Sequence, residues 1–169
     1  MSGHHHEEKN KTLRAYVLTS SDSGFAGERE DLSGPAAEAI LKEAGWEITG
    51  YCLLPDDLDR LAEKMAEICD SGCADLLVTT GGTGFSARDC MPEATARVCE
   101  RLVPGIPEAM RWYSLQITPR AMLSRAAAGI RGSTLIVNLP GSPKAVKENL
   151  SAVVETLSHA VDMMRGGGH

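Results

Sequence analysis

The residues best suited to chemistry cluster in one stretch, 74–95. An apolar run, 76–78, ends in Thr79 and Thr80, and three glycines follow within four residues, Gly81, Gly82 and Gly84. That pattern describes a buried strand stopping at a loop of bare backbone amides. Beyond the loop Arg88 and Asp89 stand side by side, and Pro92 with Glu93 has the composition of a first helical turn. Amides at a strand end, a charged pair and a helix start together suit a phosphorylated ligand. The same glycines also suit a plain strand-to-helix turn. Residues 82–87 match the loose dinucleotide fingerprint, but that motif opens its helix inside the glycine run, whereas Arg88, Asp89 and Pro92 set the start later. No Lys-Ser or Lys-Thr follows the glycines, so this is not a Walker loop.

Asp56 is the second acidic candidate. It precedes a helical pattern in Pro55-Asp56-Asp57, and Asp89 lies thirty-three residues further on. In open α/β sheets, ligands bind where parallel strands end. The loops 20–24, 55–57 and 79–89 gather at that edge, which allows Asp56 and Asp89 to converge on one phosphate-sized space. Each acid also has a plainer role open to it. Asp56 can cap a helix, although Asp57 is the better cap, and Asp89 can pair with Arg88 or form a turn. Near the C-terminus Ser142 can cap and Pro143 can start a helix, whose free amides offer a second place for an anion.

The elements that must position these groups follow from periodicity. Strands are predicted at 13–19 and 46–54, with the third in the stretch already described and a fourth at 133–139. Between them lie amphipathic helices. The first has Ser33 as its cap, Pro35 in its first turn and a stripe of Ala36, Ala37, Ile40, Leu41 and Ala44 before Gly45. The second carries Leu58, Leu61, Met65 and Ile68 and stops at Ser71-Gly72. Further helices are predicted at 92–102 and 108–116, and a last one has the stripe Leu150, Val153, Val154, Leu157, Val161 and Met164. Residues 123–132 read as a short strand or turn leading into a hairpin around Arg131-Gly132. The fold expected is a three-layer α/β/α domain with a mostly parallel sheet and a short antiparallel hairpin in the C-terminal half.

Composition sets outer bounds. With 169 residues, 43% hydrophobic and 24% charged, the chain suits one soluble globular domain spanning 12–164. Seventeen basic against twenty-three acidic side chains give a net charge of −6, which argues against a broad nucleic-acid surface. Five scattered cysteines and the lack of a signal-like apolar start favour a reducing cytoplasm, and no run approaches membrane-spanning length. Cys69 and Cys73 stand one helical turn apart with no pair to complete a zinc set, so they read as packing residues. The polar residues 1–11, with His4, His5 and His6, read as a tail or expression remnant, and 165–169 as a flexible C-terminal tail.

Four segments together resemble one family. Thr79-Thr80-Gly81-Gly82-Thr83-Gly84 with Arg88-Asp89 and Pro92-Glu93-Ala94-Thr95 is similar to the signature of the molybdenum-cofactor biosynthesis family of MogA/MoaB type. Ser21-Asp22 with Gly27, Asp31 and Ser33-Gly34-Pro35 fits the same pattern. So do Leu123-Ser124-Arg125 with Gly129-Ile130-Arg131-Gly132, and Asn138-Leu139-Pro140-Gly141-Ser142-Pro143-Lys144-Ala145. Only Ser86-Ala87 departs, in a stretch where relatives often carry a proline.

The resemblance implies a homotrimer that binds ATP with magnesium and transfers AMP to the terminal phosphate of molybdopterin, releasing pyrophosphate. It implies Asp56 and Asp89 as the catalytic acids acting through the metal. Gly81, Gly82, Thr83, Gly84, Pro140, Gly141 and Ser142 fall on the nucleotide side, and Ser124 and Arg125 at the pterin end. Hand-over to a metal-inserting protein would follow, with no nucleic acid or membrane involved. A different class of function is a carrier or scaffold that keeps the molybdopterin pocket without efficient transfer; the paired acids favour the enzyme. A nicotinamide-dependent oxidoreductase rests on the 82–87 fingerprint alone.

Overall fold

The computed structural model describes residues 12–166. The expected tail at 1–11, including the His4–His6 run, and the last three residues lie outside them. The sheet has six strands in the order β2-β1-β3-β6-β5-β4. Strands β1 (Arg14–Ser20), β2 (Glu47–Leu54), β3 (Leu76–Thr80) and β6 (Thr134–Leu139) run parallel, while β4 (Arg101–Leu102) and β5 (Ala128–Arg131) complete an antiparallel edge. β1, β3 and β6 are the apolar strands, and β3 and β6 are buried at every position, as strands covered on both faces require.

Helices close both faces. α2 (Ser33–Glu43), α5 (Gly105–Leu115) and α6 (Pro143–Met164) pack on one side, where Leu41, Met110, Leu150 and Leu157 meet Val17, Val78 and Val137. α3 (Leu58–Asp70) and α4 (Met91–Val98) cover the other with Leu61, Met65, Met91 and Ala94 against Leu18, Leu77 and Ile136. The three-layer arrangement and the hairpin, which turns at Gly132 with φ of +55°, are those the sequence predicts.

Several boundaries differ. The helix expected over 92–102 ends at Val98, because Glu100 donates its N–H to the Ile130 carbonyl and Arg101 pairs with Ile130, drawing the chain into β4. α5 begins at Gly105, three residues earlier than expected, and accommodates Pro107 in its first turn, where a missing N–H costs nothing. A 3-10 turn, Pro119–Leu123, and a short helix, α1 (Asp22–Phe25), were not predicted. Ser33 does not cap α2: Asp31 accepts from the Ser33 and Gly34 N–H groups at 3.0 and 3.1 Å instead. Asp57, not Asp56, caps α3 by accepting from Arg60 N, and Ser142 caps α6 by accepting from Ala145 N.

Candidate active site

The register of the parallel strands brings the loops together. Ser20 lies beside Leu54, Thr19 beside Thr80 and Thr80 beside Leu139, so the four strands stop at one level and their loops share one edge. A cleft of about 570 Å³ opens there, lined among others by Ser20, Asp22, Asp31, Asp56, Gly81, Gly82, Asp89, Gly141 and Ser142. Both acids from the sequence pattern therefore face one space. Among the described residues that line it are the carboxylates Asp22, Glu30, Asp31, Asp56 and Asp89, against one cation, Arg29. An anionic ligand there needs a countercharge.

Gly81 is where the backbone demands glycine. Its φ is +85°, and a Cβ would stand 2.3 Å from the Ser20 carbonyl oxygen. Gly141 packs beside it, where a Cβ would lie in ordinary contact with Gly81 Cα, and Ser33 Oγ donates to the Gly141 carbonyl. These contacts bind the β3 loop, the α2 start and the β6 loop into one floor.

The two acids are held differently. Asp56 accepts from Ser20 Oγ on one carboxylate oxygen and from the Asp22 N–H on the other at 3.1 Å. Each oxygen keeps acceptor capacity for a further partner. Asp89 accepts from the Ser86 N–H, three residues back in the chain, at 2.9 Å on Oδ2, and Gly84 leaves room for that oxygen: a Cβ there would lie 2.9 Å from it. Arg88 does not pair with its neighbour Asp89. It forms a fork on Asp22, Nε and Nη2 both at 2.9 Å, which holds the Asp22 carboxyl below its ordinary range.

A second, smaller cavity of about 290 Å³ lies on the far side of the glycine loop, lined by Thr83, Gly84, Arg111, Arg120, Ser124, Pro140 and Asn149 among others. The glycine run is thus a partition. Gly81 and Gly82 line the acidic cleft while Thr83 and Gly84 line its neighbour, and the β6 loop divides likewise, Gly141 and Ser142 to the first and Pro140 to the second. Ser124 lines the second cavity, but Arg125 lines neither. Its guanidinium donates to the Gly84 carbonyl at 2.7 Å, to the Asp89 carbonyl at 3.0 Å and in a fork to Glu93, so it frames the loop from behind. Sequence reasoning missed Ser20, Arg111 and Arg120. Only Ser20, at a strand's end in the predicted site edge, carried a signal that could have found it.

A scan against family models matches residues 16–159 to the family described as "Probable molybdopterin binding domain". The chain belongs to that molybdopterin-binding family. Relatives of this domain include the molybdopterin adenylyltransferase of Helicobacter pylori strain J99, 42% identical over 92% of this chain and 90% of the relative. That of Escherichia coli K12 is 39% identical over 89% and 78%. Among solved structures, a molybdopterin biosynthesis enzyme MoaB from Thermus thermophilus superposes with a TM-score of 0.87 at 44% identity, covering 92% of this chain and 98% of that one. The tungsten cofactor synthesizing MoaB from Pyrococcus furiosus gives 0.83 at 34% identity, over 92% and 98%. In this molybdopterin-binding domain no helix among the described residues is long and apolar enough to cross a membrane.

Proposed function

We propose that the protein is a molybdopterin adenylyltransferase, transferring AMP from ATP to the terminal phosphate of molybdopterin with release of pyrophosphate. The observation that carries this is the placement of Asp56 and Asp89 on one cleft whose floor is the glycine turn at Gly81 and Gly82. Relatives of that name at 39–42% identity support it.

Magnesium fits the donor set. Among the described residues no group of three or more His, Cys, Asp or Glu side chains forms a cage, and magnesium needs only one or two carboxylates when phosphates and water supply the rest. Asp56 and Asp89 are the residues that would hold it. When bound, it supplies the charge neutralisation that this acidic wall demands of any triphosphate.

The protein's own residues do the remaining work. Gly81, Gly82, Gly141 and Ser142 form the floor of the nucleotide cleft, and the backbone there orients the triphosphate. Ser124, with Thr83, Gly84 and Pro140, lines the adjoining cavity that receives the pterin, and Arg111 and Arg120 give it positive charge. Arg125 shapes the partition between them. Across that partition a phosphate oxygen of molybdopterin attacks the α-phosphorus in line, the bond to the β-phosphate bridging oxygen breaks, and pyrophosphate leaves with the electron pair. The nucleophile arrives already ionised, so no side chain has to remove a proton.

The assembly proposed is a homotrimer, supported by the apolar side chains left exposed on and after α5: Trp112, Leu115, Ile117, Met122 and Leu123. Five free cysteines suit a cytoplasmic enzyme, which would pass adenylated pterin to a metal-inserting protein.

The test is direct. Incubated with ATP, magnesium and molybdopterin, the protein should yield adenylated pterin and pyrophosphate in equal amounts. Tight pterin binding with no pyrophosphate would make it a carrier instead.

A further inference from the structure

Asp22 belongs to no role assigned so far, yet it touches both catalytic acids' supports. Its Oδ1 accepts from the Asp56 N–H at 2.9 Å, and its own N–H returns a bond to Asp56 Oδ2 at 3.1 Å. The same carboxylate takes the Arg88 fork, and Arg88 is covalently next to Asp89. A continuous path therefore runs from one acid to the other across the cleft, through Asp22 and Arg88.

We infer that Asp22 and Arg88 are a positioning pair that sets the spacing of Asp56 and Asp89 for the metal-bound triphosphate. The inference rests on the adenylyl-transfer function proposed above.

Stability does not explain the pair. The Arg88 side chain is 61% exposed and that of Asp22 44%, and ion pairs so open to water contribute little. α1, which Asp22 begins, has no buried residue, so the contact anchors no core. What a bidentate fork does provide is direction, because two parallel bonds fix the guanidinium plane against the carboxylate. Among the described residues, the loop 84–90 is otherwise tied to its own side, by Arg125 and by Met91 N on the Gly82 carbonyl. Arg88 is its tie to the opposite wall. The pair also occupies one of the five acids, leaving Asp56 and Asp89 as the better-placed partners for a cation.

The experiment compares wild type with Asp22→Asn, Arg88→Gln and the double variant. Asp22→Asn keeps an oxygen for the Asp56 N–H but loses the charge that holds Arg88. Two readouts are taken: kcat and KM for AMP transfer, and the affinity for Mn2+ in the presence of ATP, followed by the loss of the free Mn2+ electron-spin signal. Each single variant should lower kcat by about tenfold and weaken Mn2+ binding by a similar factor, since ångström-scale misplacement is enough for such losses. The double variant should be no worse than either single, and Arg88→Lys, with charge but no fork, should recover only part.

Losses that multiply in the double variant would overturn the inference, because two independent roles combine that way. So would a rise in KM for ATP confined to Arg88→Gln, which would make Arg88 a phosphate ligand, or variants that match wild type. An active wild type with unaffected variants removes the inference and leaves the function standing. A wild type that makes no adenylated pterin removes the function, and the Mn2+ measurement then decides the inference alone: weakened binding in both single variants sustains it, unchanged binding removes it.

Discussion

The two ends of the parallel strands each hold a buried or half-buried aspartate, and they do opposite things with it. At the edge where β1 and β3 begin, Asp75 is 7% exposed and takes donors on all sides: the Arg14 N–H at 3.0 Å, Arg14 Nε and Nη2 at 3.3 Å, and Arg165 Nη2 at 2.7 Å. Three of those donors meet Oδ2 and the fourth meets Oδ1, and the carboxylate ties the first strand to the end of the last helix. At the edge where the strands stop, Asp56 has one donor on each oxygen and a cleft in front of it. A closed carboxylate holds the fold together; one left with spare acceptor capacity facing solvent is available for a ligand.

The sharpest way to break that contrast is Asp89→Asn. The amide keeps an oxygen for the Ser86 N–H, so the loop conformation over 86–89 and the melting temperature should stay close to wild type. Loss of the charge should lower kcat by roughly 10²- to 10³-fold, the scale found when one preorganised electrostatic group is removed. Turnover within a factor of a few of wild type would remove Asp89 from the reaction and with it the distinction between the two edges.

Asp75→Ala probes the other side. Its removal leaves the Arg14 and Arg165 guanidiniums without that carboxylate and an unfilled space among buried groups, and should cost about 2–3 kcal/mol of stability, discounted because both arginines reach water. Urea denaturation measures it. The kcat of the folded fraction should not change; a parallel fall in kcat would mean that the far edge communicates with the cleft.

How much of this the sequence displayed depends on the kind of signal. The parallel core was legible because burial on both faces leaves runs such as Leu135-Ile136-Val137 with no polar interruption. The acidic edge was legible too, since Asp56 comes just after the end of β2 and Asp89 in the loop that follows β3, strand ends whose register the topology dictates. What periodicity could not show was any contact decided by side-chain reach. Arg125 stands in a matching motif next to Ser124, yet its guanidinium turns away to Glu93 while Ser124 lines the second cavity. Arg88 likewise adjoins Asp89 but crosses to Asp22, sixty-six residues away in sequence. β4 was read as helix because its two residues carry no strand pattern of their own. It pairs only because β5 offers an open edge.

Asp31 sharpens the contrast from within the functional edge, because it lines the open cleft but is bonded like Asp75. It accepts from the N–H groups of Ser33 and Gly34 and from the Tyr51 hydroxyl. Burial acts to raise its pKa, but the hydrogen bonds from Tyr51, Gly34, Thr19 and Ser33 outweigh it and the value falls below the ordinary 3.8. A carboxyl depressed on folding binds its proton more readily in the unfolded chain, so its stabilisation is complete above the unfolded value and disappears as pH drops through the folded one. Asp31→Asn should therefore be less stable than wild type at pH 7 by about 1 kcal/mol, the usual worth of a helix cap, and the amide's remaining acceptor keeps the loss near the low end. Below about pH 4 the gap should narrow as the wild-type carboxyl takes up its proton. Urea midpoints at pH 7 and pH 3 compare the two. A gap that stayed constant would mean the charge contributes nothing and that Asp31 acts as a neutral cap, unlike either the closed carboxylate at Asp75 or the open ones in the cleft.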